Sequence, residues 1–335
     1  MEIVSLDVAA LSKIFWLAFI SFLLAFLWTP FLSDFLYKIH RRRKAKEGVP
    51  VFSQLHQEKR DVPTMGGLLI WITVAVVTLL NNLSRSQTWL PLFALVTTGI
   101  LGAVDDILSI KGIGPGGGGI RARYKLIWLL VIAGVGAWWF YSKLDWNSIH
   151  IPGFGDLTIG WWYMPLFILV IISTANAVNI TDGLDGLAGG LLALAFMAFG
   201  GLAYFQGQYG IAAFCGSIGG ALLAFLWFNI YPARFFMGDT GALALGATLG
   251  VIAMLTNNVL ILPIIGFIFV FETLSVILQR IYKKLTGGRK IFLSAPIHNH
   301  FQALGWPETK VTMRFWVLGA VMAIIGFVIG LIGRG

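Results

Sequence analysis

The chain has 335 residues, 58% of them hydrophobic and 12% charged, against about 25% charged in an ordinary soluble domain. So little charge cannot clothe a water-soluble globule of this length, which excludes a cytosolic enzyme, a secreted disulfide scaffold and a disordered chain. The single cysteine, Cys215, excludes a disulfide framework, and a net charge of +9 on an apolar chain reports topology and anionic lipid before nucleic acid.

A helix crossing hydrocarbon needs about 20 apolar residues. In chain order the apolar stretches predict ten spans, near Leu11–Leu36, Met65–Leu80, Leu90–Val104, Leu126–Tyr141, Trp161–Asn179, Leu187–Phe205, Ile211–Phe228, Gly241–Thr256, Val259–Ile281 and Phe315–Ile332. The runs are solidly apolar rather than alternating, which argues against a β-barrel. The first run lacks the basic start and small-residue cleavage site of a signal peptide. The expected fold class is therefore an all-α polytopic membrane protein forming one domain over residues 1–335. Gly116–Gly119 reads as a flexible tip. Asp145–Ile159, with Pro152, Gly153 and Gly155, reads as a short turn or hairpin between spans four and five.

Charge sets the expected orientation. The loop after span one carries Lys38, Arg41, Arg42, Arg43, Lys44, Lys46, Lys59 and Arg60. The loop after span three carries Lys111, Arg121, Arg123 and Lys125, and Arg234 follows span seven. The loop after span nine adds Arg280, Lys283, Lys284, Arg289, Lys290, Lys310 and Arg314. Even-numbered loops contribute only Arg85 and Lys143. Basic residues stay inside, so the odd loops are expected in the cytoplasm and both termini outside.

Membrane chains spend carboxylates sparingly. Here Asp105 and Asp106 end span three, Asp182 and Asp185 follow span five, and Asp239 starts span eight. All five fall on the predicted cytoplasmic face. Each alone reads as a helix cap, a turn or a solvated charge. Together they call for a cation, because clustered like charges repel. Mg²⁺ takes one or two carboxylates plus substrate phosphates, so a phosphate-bearing substrate at that face is the natural inference. Gly183 and Gly186 would let backbone N–H groups approach an anion. Lys125, and Lys59 with Arg60, offer cations at the same face. There is no GxxxxGK[ST] loop and no GxGxxG in a βαβ setting.

Three further features stand out. Loop nine carries His298-Asn299-His300, able to hydrogen-bond phosphate oxygens or bind a divalent ion, whereas His40, His56 and His150 read as surface residues. Phe236 lies three residues before Asp239, within reach of stacking on a base. Glu272 and Gln279, seven apart, share one helix face and should look into the bundle rather than at lipid.

The runs Pro63–Gly67 (PTMGG), Asp105-Asp106, Asn176–Ala188 (NAVNITDGLDGLA) and Phe236–Gly241 (FMGDTG) together resemble the polyprenyl-phosphate N-acetylhexosamine-1-phosphate transferase superfamily. They are most similar to its branch that handles phospho-MurNAc-pentapeptide. The chain has His298-Asn299-His300 where that branch usually has three histidines, and Ser109 where a lysine is usual. The resemblance implies an enzyme of the bacterial inner membrane. It would transfer phospho-MurNAc-pentapeptide from UDP-MurNAc-pentapeptide to undecaprenyl phosphate with Mg²⁺, releasing UMP and making lipid I for peptidoglycan. It implies Asp239 on Mg²⁺, Asp105 and Asp106 at the polyprenyl phosphate, and Lys125, His298 and His300 in the catalytic set. Lys59, Asn176, Asn179, Asp182, Asp185, Asn229, Phe236 and Gln279 would line the nucleoside and pyrophosphate pocket. The partners are then the two substrates and the bilayer, with no nucleic acid; a homodimer is compatible with the sequence.

Two other readings differ in chemistry. A sibling enzyme using UDP-GlcNAc is the nearest, with Pro63–Gly67 and Ala295–His298 favouring the first reading. An anion transporter would need charges near the midplane, paired half-helices and repeats, whereas most acids here lie at one face.

Overall fold

The computed structural model describes residues 7–40, 62–115 and 118–333. Twelve α-helices, one hairpin and a short 3-10 helix (Gly160–Trp162) make up the regular structure of the described residues. The α-helices and strands are α1 (Val8–His40), α2 (Leu68–Asn81), α3 (Trp89–Ile110), α4 (Ala122–Lys143), β1 (Ser148–Ile151), β2 (Gly155–Thr158), α5 (Tyr163–Thr181), α6 (Leu187–Phe205), α7 (Tyr209–Asn229), α8 (Asp239–Leu255), α9 (Leu262–Ile265), α10 (Phe267–Leu285), α11 (Ile297–Ala303) and α12 (Glu308–Ile332). Seven helices among the described residues, namely α1, α3, α4, α5, α6, α7 and α12, are long and apolar enough to cross a membrane. Helices α2 and α8 are apolar but shorter.

Helix α8 is the axis of the bundle. It is apolar on every side, and every residue from Thr240 to Leu255 is buried, as expected of a helix with no polar face. It packs against α3, α5, α2 and α6. Small residues set the spacing. A methyl added at Gly246 would meet the Thr174 carbonyl and Ala175 of α5, and one at Gly102 of α3 would land on the Asp239 carbonyl. Such positions let helix backbones approach closely where lipid supplies no hydrophobic drive. Outer helices turn apolar side chains outward, for example Phe15, Trp16 and Phe19 of α1 and Val317 and Ile324 of α12.

Every expected apolar run is helical, but the ninth differs in form. Val259–Ile281 is not one continuous helix: α9 ends at Ile265, and α10 begins at Phe267, directly after Gly266. Pro263 sits in the first turn of α9, where a missing N–H costs nothing, so the apolar run hides the break. Helix α10 buries Ile268, Glu272, Ser275 and Gln279 along one face and ends on Lys283 and Lys284, favourably placed at a helix C-terminus. The last helix starts at Glu308, earlier than its apolar run.

Asp145–Ile159 forms the expected hairpin, with Ile149 opposite Leu157 and His150 opposite Asp156. It joins the C-terminus of α4 to the N-terminus of α5. His150 lies 2.7 Å from the Asp156 carboxylate through Nδ1 and 3.0 Å from the Gly333 carbonyl through Nε2, so it ties the hairpin to the end of α12. Gly116 and Gly117 of the expected flexible tip lie outside the described residues.

Candidate active site

At the opposite end of the bundle from the hairpin, the ends of α3, α4, α5, α6 and α8 converge. Two backbone segments form the frame. The Phe236 N–H donates to the Pro63 carbonyl at 2.8 Å, the Gly66 N–H to Phe236 at 2.7 Å and the Gly67 N–H to Met237 at 2.9 Å. The Pro63–Gly67 and Phe236–Gly241 motifs therefore hold each other, 170 or so residues apart in sequence.

The five aspartates meet here, each by an identifiable bond. Lys125 at the start of α4 contacts Asp105 at 2.8 Å and Asp239 at 2.5 Å, so one ammonium bridges two carboxylates. The other Asp105 oxygen accepts the Ile120 N–H at 2.6 Å, and the other Asp239 oxygen accepts from the Asn179 amide at 2.7 Å. Asp106 accepts the N–H groups of Asp239 and Thr240. Asp182 accepts the Gly238 N–H at 3.2 Å. Asp185 accepts the Ala233 N–H at 3.0 Å, while its own N–H donates to Glu308 at 2.6 Å. Part of the cation expected from the acid cluster is thus Lys125 itself.

Two cavities open beside this cluster. The larger, of about 420 Å³, is lined by Thr64, Asp106, Asn179, Asp182, Gly183, Asp185, Asn229, Phe236, Asp239, His298 and Asn299, among others. The smaller, of about 230 Å³, is lined by Lys125, Asn176, Asn179 and Asp239 with Ile120, Leu126, Leu129 and Leu243. Asp239 and Asn179 belong to both walls. The larger chamber gathers most of the carboxylates and amides around Phe236 and Leu184; the smaller pairs a cation with an apolar flank.

The remaining candidates fall at varied distances from this point. Asn229 is buried and cross-ties the frame, accepting from Gly186 at 3.0 Å and donating to Phe235 at 2.9 Å. Gln279 lines neither cavity. Its carbonyl accepts the N–H groups of Ile291 and Phe292 at 2.9 and 3.1 Å, and its amide donates to Phe292 at 2.9 Å, so it pins the loop before α11. His300 accepts the Leu293 N–H at 3.1 Å and lines neither cavity. His298 does line the larger one, and its Nδ1 lies 3.0 Å from Glu272. Lys59 lies outside the described residues.

The two glycines expected to offer N–H groups to an anion act otherwise. Gly183 donates to Thr181 and Gly186 to Asn229, so both donors are taken. Gly186 instead adopts φ 75° ahead of α6, a left-handed conformation that favours glycine. Gly183 leaves room for the His298 ring, since a methyl there would strike Nε2.

One contributor escapes the sequence motifs. Glu308 anchors Asp185 from the first turn of α12, where Pro307-Glu308 reads as an ordinary helix start. Asn299, from the triplet His298-Asn299-His300, and Leu184, within the Asn176–Ala188 run, also line the larger cavity. Among the described residues no group of three His, Cys, Asp or Glu forms a ready metal cage. The donors around Asp239 are hard oxygens, and Mg²⁺ takes only one or two carboxylates, filling its shell with water and substrate phosphate. The residues present fit that ion.

Fold and site define a polytopic membrane transferase, and the profile of glycosyl transferase family 4 matches residues 88–257. The chain is 42% identical over 322 residues to the phospho-N-acetylmuramoyl-pentapeptide-transferase of Chloroflexus aurantiacus, covering 92% of this chain and 88% of that one. It is 42% identical over 317 residues to the enzyme of the same name from a Geobacillus species, covering 92% and 95%. It is 40% identical over 311 residues to that of Levilactobacillus brevis, covering 91% and 94%. The chain belongs to the phospho-N-acetylmuramoyl-pentapeptide-transferase family.

Proposed function

We propose that this protein transfers phospho-MurNAc-pentapeptide from UDP-MurNAc-pentapeptide to undecaprenyl phosphate, giving lipid I and UMP in peptidoglycan synthesis. Family membership supports the reaction. The observation that carries its layout is the Asp239 carboxylate standing in the wall shared by two chambers. The larger chamber suits the nucleotide sugar, with Phe236 at a base and Asn179, Asp182, Asp185 and Asn229 around the ribose and diphosphate. The chamber flanked by Leu126, Leu129 and Leu243 suits a phosphate with an apolar tail, held by Lys125 beside Asn176.

Both reactants are anions, so neutralisation and alignment matter more than covalent assistance. An oxygen of the lipid phosphate attacks the sugar-bearing phosphorus, and the bond to the UMP oxygen breaks in line. Lys125 screens the incoming phosphate from Asp105 and Asp239. Asp106 holds the first turn of α8, and with it Asp239, in place. Mg²⁺ bound by Asp239, with Asp106 and Asp182 near it, would neutralise diphosphate charge. His298 contacts the sugar-phosphate end. Gln279 and His300 act by shaping the loop 286–296 rather than by touching substrate, and Lys59 is retained as a nucleotide contact.

The rest of the reading concerns placement. We read ten crossings, counting α2, α8 and the α9–α10 pair with the seven long helices; with the basic loops, that count supports both termini outside and a site on the cytoplasmic face of the bacterial inner membrane. The test is UMP release by purified protein in detergent with Mg²⁺, polyprenyl phosphate and either UDP-MurNAc-pentapeptide or UDP-GlcNAc, with no gradient present. Turnover with the first donor alone is expected. Turnover with UDP-GlcNAc alone would move the assignment to the sibling enzymes.

A further inference from the structure

We infer that Glu272 is a positioning residue that fixes His298 as a hydrogen-bond donor to a phosphate oxygen of the nucleotide substrate. The inference deepens the transferase reading and rests on it for the identity of the ligand. The two side chains come from α10 and α11 and are buried, at 0% and 1% exposure. His298 Nδ1 is 3.0 Å from one Glu272 oxygen. The other oxygen is buried with no partner among the described residues, and the Ser275 hydroxyl donates to the Glu272 backbone carbonyl rather than to the carboxylate. No lysine or arginine among the described residues forms an ion pair with it.

Proton accounting then fixes the outer nitrogen. A net charge sealed in such a place is costly, so the pair is held electroneutral. Two arrangements are neutral. In one, an imidazolium faces a carboxylate. In the other, a carboxylic acid donates to a bare Nδ1 and the hydrogen sits on Nε2. Both leave a hydrogen on Nε2. Only the neutral imidazole with its hydrogen on Nδ1, facing a carboxylate, strips Nε2, and that arrangement buries an uncompensated negative charge.

Nε2 is the atom that looks outward. It lies over the α-carbon of Gly183, and both residues line the larger cavity. The same wall carries Asp106, Asp182, Asp185 and Asp239. These carboxylates repel a diphosphate, whose oxygens accept hydrogen bonds, so a fixed N–H among them is the complementary group. The leaving UMP is a stable phosphate monoester and needs no proton, which makes binding and alignment the role of this N–H.

The test begins with the resting protein. In ¹⁵N-histidine-labelled native protein in nanodiscs, with His298 assigned by its loss in His298→Gln, Nε2 is expected to be protonated at neutral pH. A bare Nε2 overturns the inference. Glu272→Gln preserves volume, but its amide satisfies either ring tautomer, so both tautomers are expected to appear. UDP affinity should then fall about tenfold while uridine affinity stays unchanged. Equal losses for UDP and uridine, or no loss for UDP, also overturn it. If native protein binds neither UDP nor uridine, the transferase reading fails, whereas a bare Nε2 strikes this inference alone.

Discussion

Asp106, at the end of α3, caps α8: one carboxylate oxygen accepts the Asp239 N–H at 3.4 Å and the other the Thr240 N–H at 3.0 Å. A capping carboxylate normally comes from the residue just before its own helix. Here it comes from another helix, so the direction of the Asp239 side chain depends on how α3 packs. Asp106→Ala is expected to cost about 1 kcal/mol of stability, in the range of a lost cap, and to reduce UMP release. Asp106→Asn, which keeps one acceptor, should recover most of the stability and little of the turnover. Thermal unfolding in detergent beside the UMP assay separates the two; equal stability of both variants would remove the capping role.

Asp239→Asn preserves the side chain's volume and a carbonyl that can accept from Lys125. Turnover is expected to fall at least about 100-fold, the scale of losing one preorganised electrostatic contact, while the unfolding midpoint stays near that of the native protein. The dependence of rate on Mg²⁺ should weaken in parallel. Native turnover in this variant would take Asp239 out of the site.

Lys125→Met deletes the ammonium between Asp105 and Asp239 and leaves their carboxylates facing each other. The apparent KM for polyprenyl phosphate is expected to rise more than that for the nucleotide sugar, because Lys125 lines only the smaller chamber. A larger effect on the nucleotide sugar would reverse the assignment of the two chambers.

Gln279→Leu removes all three hydrogen bonds that pin Ile291 and Phe292. Arg289 and Lys290 are exposed just before that anchor. Limited trypsin digestion should cut the variant there faster than the native chain, with KM for the nucleotide sugar raised through displacement of α11. Equal digestion rates would show that the loop is held by other contacts.

In-line transfer predicts that no labelled phosphosugar stays on the protein when the nucleotide sugar is supplied without lipid phosphate. Stoichiometric trapping on Asp105 or Asp106 would establish a covalent intermediate instead.

Much of this was legible in the sequence because lipid imposes harsh rules. Apolar runs had to be helices, and the few carboxylates at their ends had few reasons to be there. Long-range partners were less legible. Glu272 and Gln279 share a face, but that face meets residues 26 and 12–13 positions away, and nothing local records which. The break at Gly266 is masked because both halves are apolar. Gly183 and Gly186 advertise backbone freedom, yet the sequence does not say that neighbouring carbonyl and amide oxygens already claim their N–H groups.

A single carboxylate shared by two chambers also constrains how such an enzyme can diverge. Moving Asp239 to suit a different ligand in one chamber would disturb the other at the same stroke. Lineages of this fold should therefore change donor preference through the far walls, at residues such as Asn299 and Thr64, and leave the partition itself untouched.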